Sequence, residues 1–171
     1  RRTVHVFKTS HNERLKYDWK ERAVDVAMAT SAAPTYLPAH TLESGISLLD
    51  GGVWANNPVG MAVVEAIGVL DWPRDNIYVL SLGCSEEAFN VGYIDIAQKG
   101  VDIFLMGQSY GSIGTAQLLT KHSDSNRRIF RYNPNVPSGK YKLDSADQID
   151  SLKGMGNSLA REASREIEPI F

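Results

Sequence analysis

Cysteine is almost missing from this 171-residue chain: Cys84 stands alone, which excludes an internal disulfide. Its place at a strand end beside Gly83 suggests a partly buried, unreactive thiol. Histidine is equally sparse. His5, His11, His40 and His122 are scattered with no paired ligand spacing, so no metal site is expected. No apolar run approaches the roughly twenty residues that a bilayer span requires. No signal-like N-terminus is present either, so a cytoplasmic location is expected, with membrane contact at most peripheral, at the inner face. A net charge of -2 leaves no basic footprint for a nucleic acid polymer. Repeats, low-complexity tracts and a second domain boundary are also lacking. Against these absences stand 43% hydrophobic and 22% charged residues, enough to fill an ordinary globular core.

The order of elements implies an α/β layer architecture with a mostly parallel sheet. Thr3–Phe7 reads as a first strand and the segment through His11, Asn12 and Glu13 as a loop. Asp18 and Glu21 have the spacing of a capping box for a helix that packs Ala23, Val24, Ala27 and Met28 inward. Pro34 ends that helix. Ile46, Leu48 and Leu49 read as a buried strand running into Asp50, followed by a covered helix from Pro58 to about Leu70 that carries Met61, Val63, Val64, Ala66 and Ile67. Trp72–Asn76 is a turn cluster. Ile77–Leu82 is continuously apolar, which suits a central parallel strand buried on both faces. Arg128–Tyr132 reads as the last strand, residues 133–139 as a loop, and Ile149, Leu152, Leu159, Ala163 and Ile167 as one face of a closing helix.

Chemistry concentrates at Asp50-Gly51-Gly52-Val53-Trp54-Ala55-Asn56-Asn57-Pro58. A carboxylate there ends a short strand on a glycine turn, and Gly51-Gly52 lets the backbone take conformations that other residues resist. Asn57 then caps a helix that starts at Pro58. Such a position suits a catalytic group, and it equally suits a plain Asp-Gly turn. The chain also contains one G-x-S-x-G, Gly107-Gln108-Ser109-Tyr110-Gly111. A nucleophile elbow needs a strand before it and a helix after it. Here Ile94, Ala97, Val101, Phe104 and Leu105 recur at helical intervals before the motif, and Ile113, Ala116, Gln117 and Leu118 continue after it, so Ser109 is expected on a packing helix. Trp54 suits core or lid packing, or contact with an acyl chain. Lys121 and His122 fit a helix C-terminus. Arg127 and Arg128 are expected to be solvated, although they could attract a phosphate headgroup.

Three blocks together, Ala29-Thr30-Ser31-Ala32-Ala33-Pro34-Thr35-Tyr36-Leu37-Pro38, the Asp50 segment, and Val79-Leu80-Ser81-Leu82-Gly83, resemble the C-terminal half of the patatin-like phospholipases. Specific motifs cover roughly residues 20–85. The resemblance implies that residues 1–171 are the C-terminal portion of a single layered α/β/α domain. It also implies lipid acyl hydrolysis through a serine–aspartate dyad without a cofactor, with Asp50 as the catalytic aspartate. In that family the glycine-rich oxyanion turn and the serine elbow precede the DGG segment. The 49 residues before Asp50 hold no glycine but Gly45, so the nucleophile-bearing N-terminal half is expected upstream or on another chain. The expected partners are a phospholipid or other acyl-lipid substrate and that missing half. A cyclic-nucleotide activator, known for some family members, is also open. The other reading is a non-catalytic α/β binding or scaffold module in which Asp50 shapes a turn.

Overall fold

The computed structural model describes residues 3–87, 96–142 and 145–170. Contacts group the chain into two units interleaved in sequence, Arg1–Ile77 with Asp95–Lys121, and Tyr78–Ile94 with His122–Phe171. The α/β class expected from the sequence is what the structure shows: short parallel strand pairs and helices, with no closed barrel among the described residues.

In the first unit, Thr3–Phe7 is not a strand. Among the described residues it finds no backbone to pair with, and Val4 and Val6 are exposed. After a 3₁₀ turn at Asp18–Lys20 comes α1, Ala23–Thr30. Its N-cap is Arg22, without a side-chain cap, so the expected capping box does not form: α1 begins beyond the reach of Asp18 and Glu21. The inward face differs too. Val24 and Met28 are exposed, while Ala29 is buried. The helix meets β1, His40–Thr41, through a polar contact in which Asp25 lies 3.0 Å from His40 Nε2 and 2.9 Å from Arg22 Nε. The packed side of α1 is thus the one that carries Asp25 and Ala29, not the expected one.

The strand leading to Asp50 is present but short. β2, Ser47–Leu48, pairs antiparallel with β1, with His40 opposite Leu48 and Thr41 opposite Ser47. Gly45 turns the ribbon at φ 82°, a conformation that requires glycine. As half of a two-stranded ribbon, β2 leaves Ile46 and Leu49 exposed instead of buried. Two helices follow, α2 at Gly52–Ala55 and α3 at Val59–Gly68. α3 buries Val59, Gly60, Val63 and Ala66, whereas Met61 and Val64, expected to be covered, are exposed. Glu65 of α3 accepts from Lys8 Nζ at 2.6 Å and lies 2.9 Å from His11 Nε2, and the Lys8 bond, reinforced by His11, holds its carboxyl below the usual range.

α4 runs unbroken from Ile96 to Thr120, as the periodicity around Ser109 predicts, and packs along α2 and α3. The face differs from the expected apolar stripe: Val101, Phe104 and Leu118 are exposed. Ala116 of the expected run is buried, and beside it Ser109, Ser112 and Thr120 point inward, small residues that permit close helix approach. Ile94 of the expected stripe lies outside the described residues, as does the side chain of Ala97.

The second unit holds β3, Val79–Leu82, parallel to β5, Ile129–Tyr132, in the register Val79–Ile129 through Leu82–Tyr132. β4, Glu86–Glu87, is parallel to β6, Asn135–Val136, a short strand inside the expected loop. β3 is parallel as expected but not covered on both faces: Ser81 is buried, while Leu80 and Leu82 are 42% and 71% exposed. Cys84 is exposed rather than partly buried, because the chain leaves the ladder there. α5, Ile149–Ile167, lays Leu159, Ala163 and Ile167 against Phe130 and Tyr132, as its sequence face predicts, although Ile149 and Leu152 stay exposed. The Tyr132 hydroxyl donates to Glu166 at 2.5 Å, and Arg127 also pairs with Glu166 while its guanidinium lies 4.9 Å from the Phe130 ring centre. Arg128 lies 4.6 Å from the Tyr78 ring centre. The two arginines expected to be solvated thus have partners.

Burial, reinforced by the Glu166 carboxylate, pushes the Tyr132 phenol up to about 12 from 10.0. A folded-state pKa above the unfolded value means the fold holds the proton more tightly. This stabilisation is complete below about pH 10 and lost as pH rises through about 12. The unfolding midpoint should therefore fall across that window, and the stability gap between wild type and Tyr132→Phe should narrow there. Parallel alkaline denaturation curves for the two proteins would contradict this.

Candidate functional site

Asp50 sits where three local hydrogen bonds converge. Its backbone N–H donates to Ala32 O at 3.1 Å, its carbonyl accepts from Val53 N at 3.3 Å, and its Oδ1 accepts from Gly52 N at 2.6 Å. The first bond joins the Ser31-Ala32-Ala33-Pro34 segment directly to the Asp50 turn, so two of the sequence blocks singled out above meet in space. The third block belongs to the other unit. Asp50 is half-buried, and among the described residues its Oδ2 carries no hydrogen bond. One carboxylate oxygen is thereby oriented by a backbone amide while the other stays available as an acceptor.

The two glycines serve a purpose different from the one expected. Neither has a positive φ, and Gly51 is helical at φ -63° and ψ -21°. Space decides at Gly52, where a Cβ would stand 3.0 Å from Asp50 Oδ1 and 3.4 Å from Asn56 Oδ1. At Gly51 a Cβ would meet Thr30 Oγ1 at an ordinary 3.7 Å. Backbone strain lies instead at Thr35, a β-branched residue at φ 73° in the turn after α1.

Beyond the turn, α4 supplies three side-chain contacts from one face. Gln108 Nε2 donates to Val53 O at 2.9 Å, Ser109 Oγ accepts from Asn57 Nδ2 at 3.0 Å, and Ser112 Oγ accepts from Gly60 N at 2.8 Å. Asn57 is buried at 6% exposure, and its Oδ1 accepts from Val59 N at 3.3 Å, but α3 starts at Val59 with Pro58 as its N-cap and no side-chain cap bond, so Asn57 closes a turn one residue before the cap instead of capping the helix. Ser109 lies mid-helix and half-buried with Asn57 as its partner, so it lacks the strand-to-helix elbow of a nucleophile. Gln108 was not singled out from the sequence. The available signal was the polar pair Gln108-Ser109 following the apolar stretch Ile103–Met106.

The remaining suggestive residues fall elsewhere. His5 lies 3.6 Å from Asp18, and His122 Nδ1 accepts from Arg128 N and Ile129 N at 2.9 and 3.0 Å. No group of three His, Cys, Asp or Glu side chains among the described residues could hold a metal ion. Trp54 is exposed one residue beyond Val53.

The model of the patatin-like phospholipase family matches residues 2–63, the span that contains α1, Ala32, Asp50 and the start of α3. A cGAMP-activated phospholipase of Vibrio cholerae is 28% identical over 179 residues, covering 91% of this chain and 50% of that protein. One of Escherichia coli is 34% identical over 98 residues, 54% of this chain and 28% of that protein. Patatin-like protein 2 of Arabidopsis thaliana is 42% identical over 89 residues, 39% and 22% of the two chains. The chain therefore spans half the length of the first of these relatives and less of the others. No solved structure matches it.

The Gly52 geometry gives a direct check. Gly52→Ala forces the Asp50 carboxylate aside and should lose the benefit of the 2.6 Å bond, whereas Gly51→Ala meets open contact. The Gly52 variant should be less stable than the Gly51 variant by roughly 1 kcal/mol in thermal or denaturant unfolding. Equal stabilities would show that the Cβ is accommodated without displacing Asp50.

Proposed function

Residues 2–63 match the patatin-like phospholipase family, and from that match we propose that the chain forms the aspartate-bearing part of a lipid acyl hydrolase. The observation that carries the proposal is the Asp50 carboxylate, with Oδ1 held by Gly52 N and Oδ2 free of hydrogen bonds among the described residues. In the proposed reaction Oδ2 accepts the proton of a serine hydroxyl as that oxygen attacks an ester carbonyl, which gives an acyl-enzyme that water then hydrolyses. Backbone N–H groups hold the oxyanion. The serine and those donors come from another segment, upstream of these residues or on a second chain. The mid-helix position of Ser109 and its bond to Asn57 support this division.

Leu49, Val53 and Trp54 flank Asp50 in sequence as exposed apolar side chains, which supports an acyl-lipid substrate such as a phospholipid. No helix among the described residues is long and apolar enough to cross a membrane. The proposed access to such a substrate is peripheral, from the cytoplasmic face. Relatives named as cGAMP-activated phospholipases support a cyclic dinucleotide as activator of the complete protein. A purely structural turn at Asp50 is the competing outcome of the experiments below.

In the complete protein, Asp50→Asn keeps the size of the side chain but cannot take the proton. Ester hydrolysis should fall on the order of 10²–10⁴-fold with the fold intact. A folded variant that turns over a p-nitrophenyl ester or phospholipid vesicles at the wild-type rate would assign Asp50 to the turn alone. Ser109→Ala should still be labelled by a fluorophosphonate, because the reactive serine lies elsewhere; loss of labelling in a folded variant would make Ser109 the nucleophile. Addition of cGAMP should raise hydrolysis by the complete protein, and an unchanged rate would remove the activator from the proposal.

A further inference from the structure

The polar atoms that α4 presents to the Asp50 segment are unusual for a helix packed against helices, and Gln108 is the least explained of them. Its Nε2 reaches Val53 O at 2.9 Å, while its Oε1 is buried and, among the described residues, has no hydrogen-bond partner. Burying an amide oxygen without a partner is unfavourable, so the residue is a poor choice for packing alone. An apolar side chain of the same length would avoid that penalty and would also forfeit the donor to Val53.

Val53 follows Gly52, and its N–H already closes the turn onto Asp50 O at 3.3 Å. α2 has four residues, too few to hold its own geometry, and its carbonyls are helix-end groups that need outside donors. The Gln108 amide supplies one to Val53. Ser112, one turn further along α4, fixes Gly60 N at 2.8 Å, and a Cβ at Gly60 would stand 2.8 Å from Ser112 O, so α4 cannot slide without disturbing this contact.

We infer that Gln108 is a positioning residue for Asp50: its amide fixes the Val53 carbonyl, and through the 50–53 turn it fixes the direction of the carboxylate. This inference rests on the reading of Asp50 as the catalytic base. Removal of the donor lets the turn relax, and displacements on the scale of 1 Å at a reacting group can cost about a hundredfold in rate. The effect belongs in kcat, because substrate binding is untouched.

The test uses the complete protein with a short-chain p-nitrophenyl ester and compares Gln108→Met, which keeps length without a donor, with Gln108→Lys, which restores one. Gln108→Met should lower kcat roughly tenfold to a hundredfold at unchanged KM, and Gln108→Lys should return it to within a few-fold of wild type. In an Asp50→Asn background, Gln108→Met should cause no further loss, since it acts through the carboxylate. Wild-type kcat in a folded Gln108→Met protein would overturn the positioning role and leave the Asp50 assignment standing. The same fractional loss in both backgrounds would reassign Gln108 to general packing. Wild-type activity of Asp50→Asn itself would take down both readings together.

Discussion

The arrangement around Asp50 depends on α4 offering hydrogen-bonding atoms, rather than apolar ones, to the two short helices beside it. A four-residue helix such as α2 cannot persist by its own ladder, because nucleation is costly and most of its backbone groups are terminal. Gln108, Ser109 and Ser112 compensate by bonding Val53 O, Asn57 Nδ2 and Gly60 N in turn. Small side chains on the same face let the helices approach closely enough for these bonds to form. The Asp50 turn therefore inherits its rigidity from a long helix that lies some sixty residues further along the chain.

Much of this was legible in the sequence, and the failures share a cause. The helices at Val59–Gly68, Ile96–Thr120 and Ile149–Ile167 and the parallel strands Val79–Leu82 and Ile129–Tyr132 follow from periodicity and local chemistry. Burial was harder to read. Val24, Met28, Ile46, Leu49, Leu80 and Leu82 are apolar and were assigned inward, yet all are exposed. An apolar side chain reports that it prefers cover, not which surface provides it. Hydrophobic spacing found Ala116 but not the rest of the packed face of α4, because Ser109, Ser112 and Thr120 are polar. Similarly, Thr3–Phe7 has strand composition, but strand formation requires a second backbone.

Of the candidate site, the turn at Asp50 and the helical setting of Ser109 could be read from order and spacing, whereas the role of Gly52 could not. A glycine pair suggests unusual dihedrals, and the structure shows ordinary ones, with a side-chain oxygen 3.0 Å from where a Cβ at Gly52 would stand. Steric demands between residues two apart leave no periodic trace. The contribution of Gln108 was hidden for a related reason, since a donor matters only once the acceptor facing it is known.

α4 carries one more implication. At Gly100, Gly107, Gly111 and Gly114 a Cβ would meet nothing within 4 Å among the described residues, so no described neighbour requires these positions to be glycine. Each forgoes roughly 1 kcal/mol of helix propensity relative to alanine. The helix that disciplines the Asp50 turn is thus built from softer material than its surroundings demand, which leaves engineering headroom: a stiffer scaffold is reachable by changes that touch none of the atoms facing the turn.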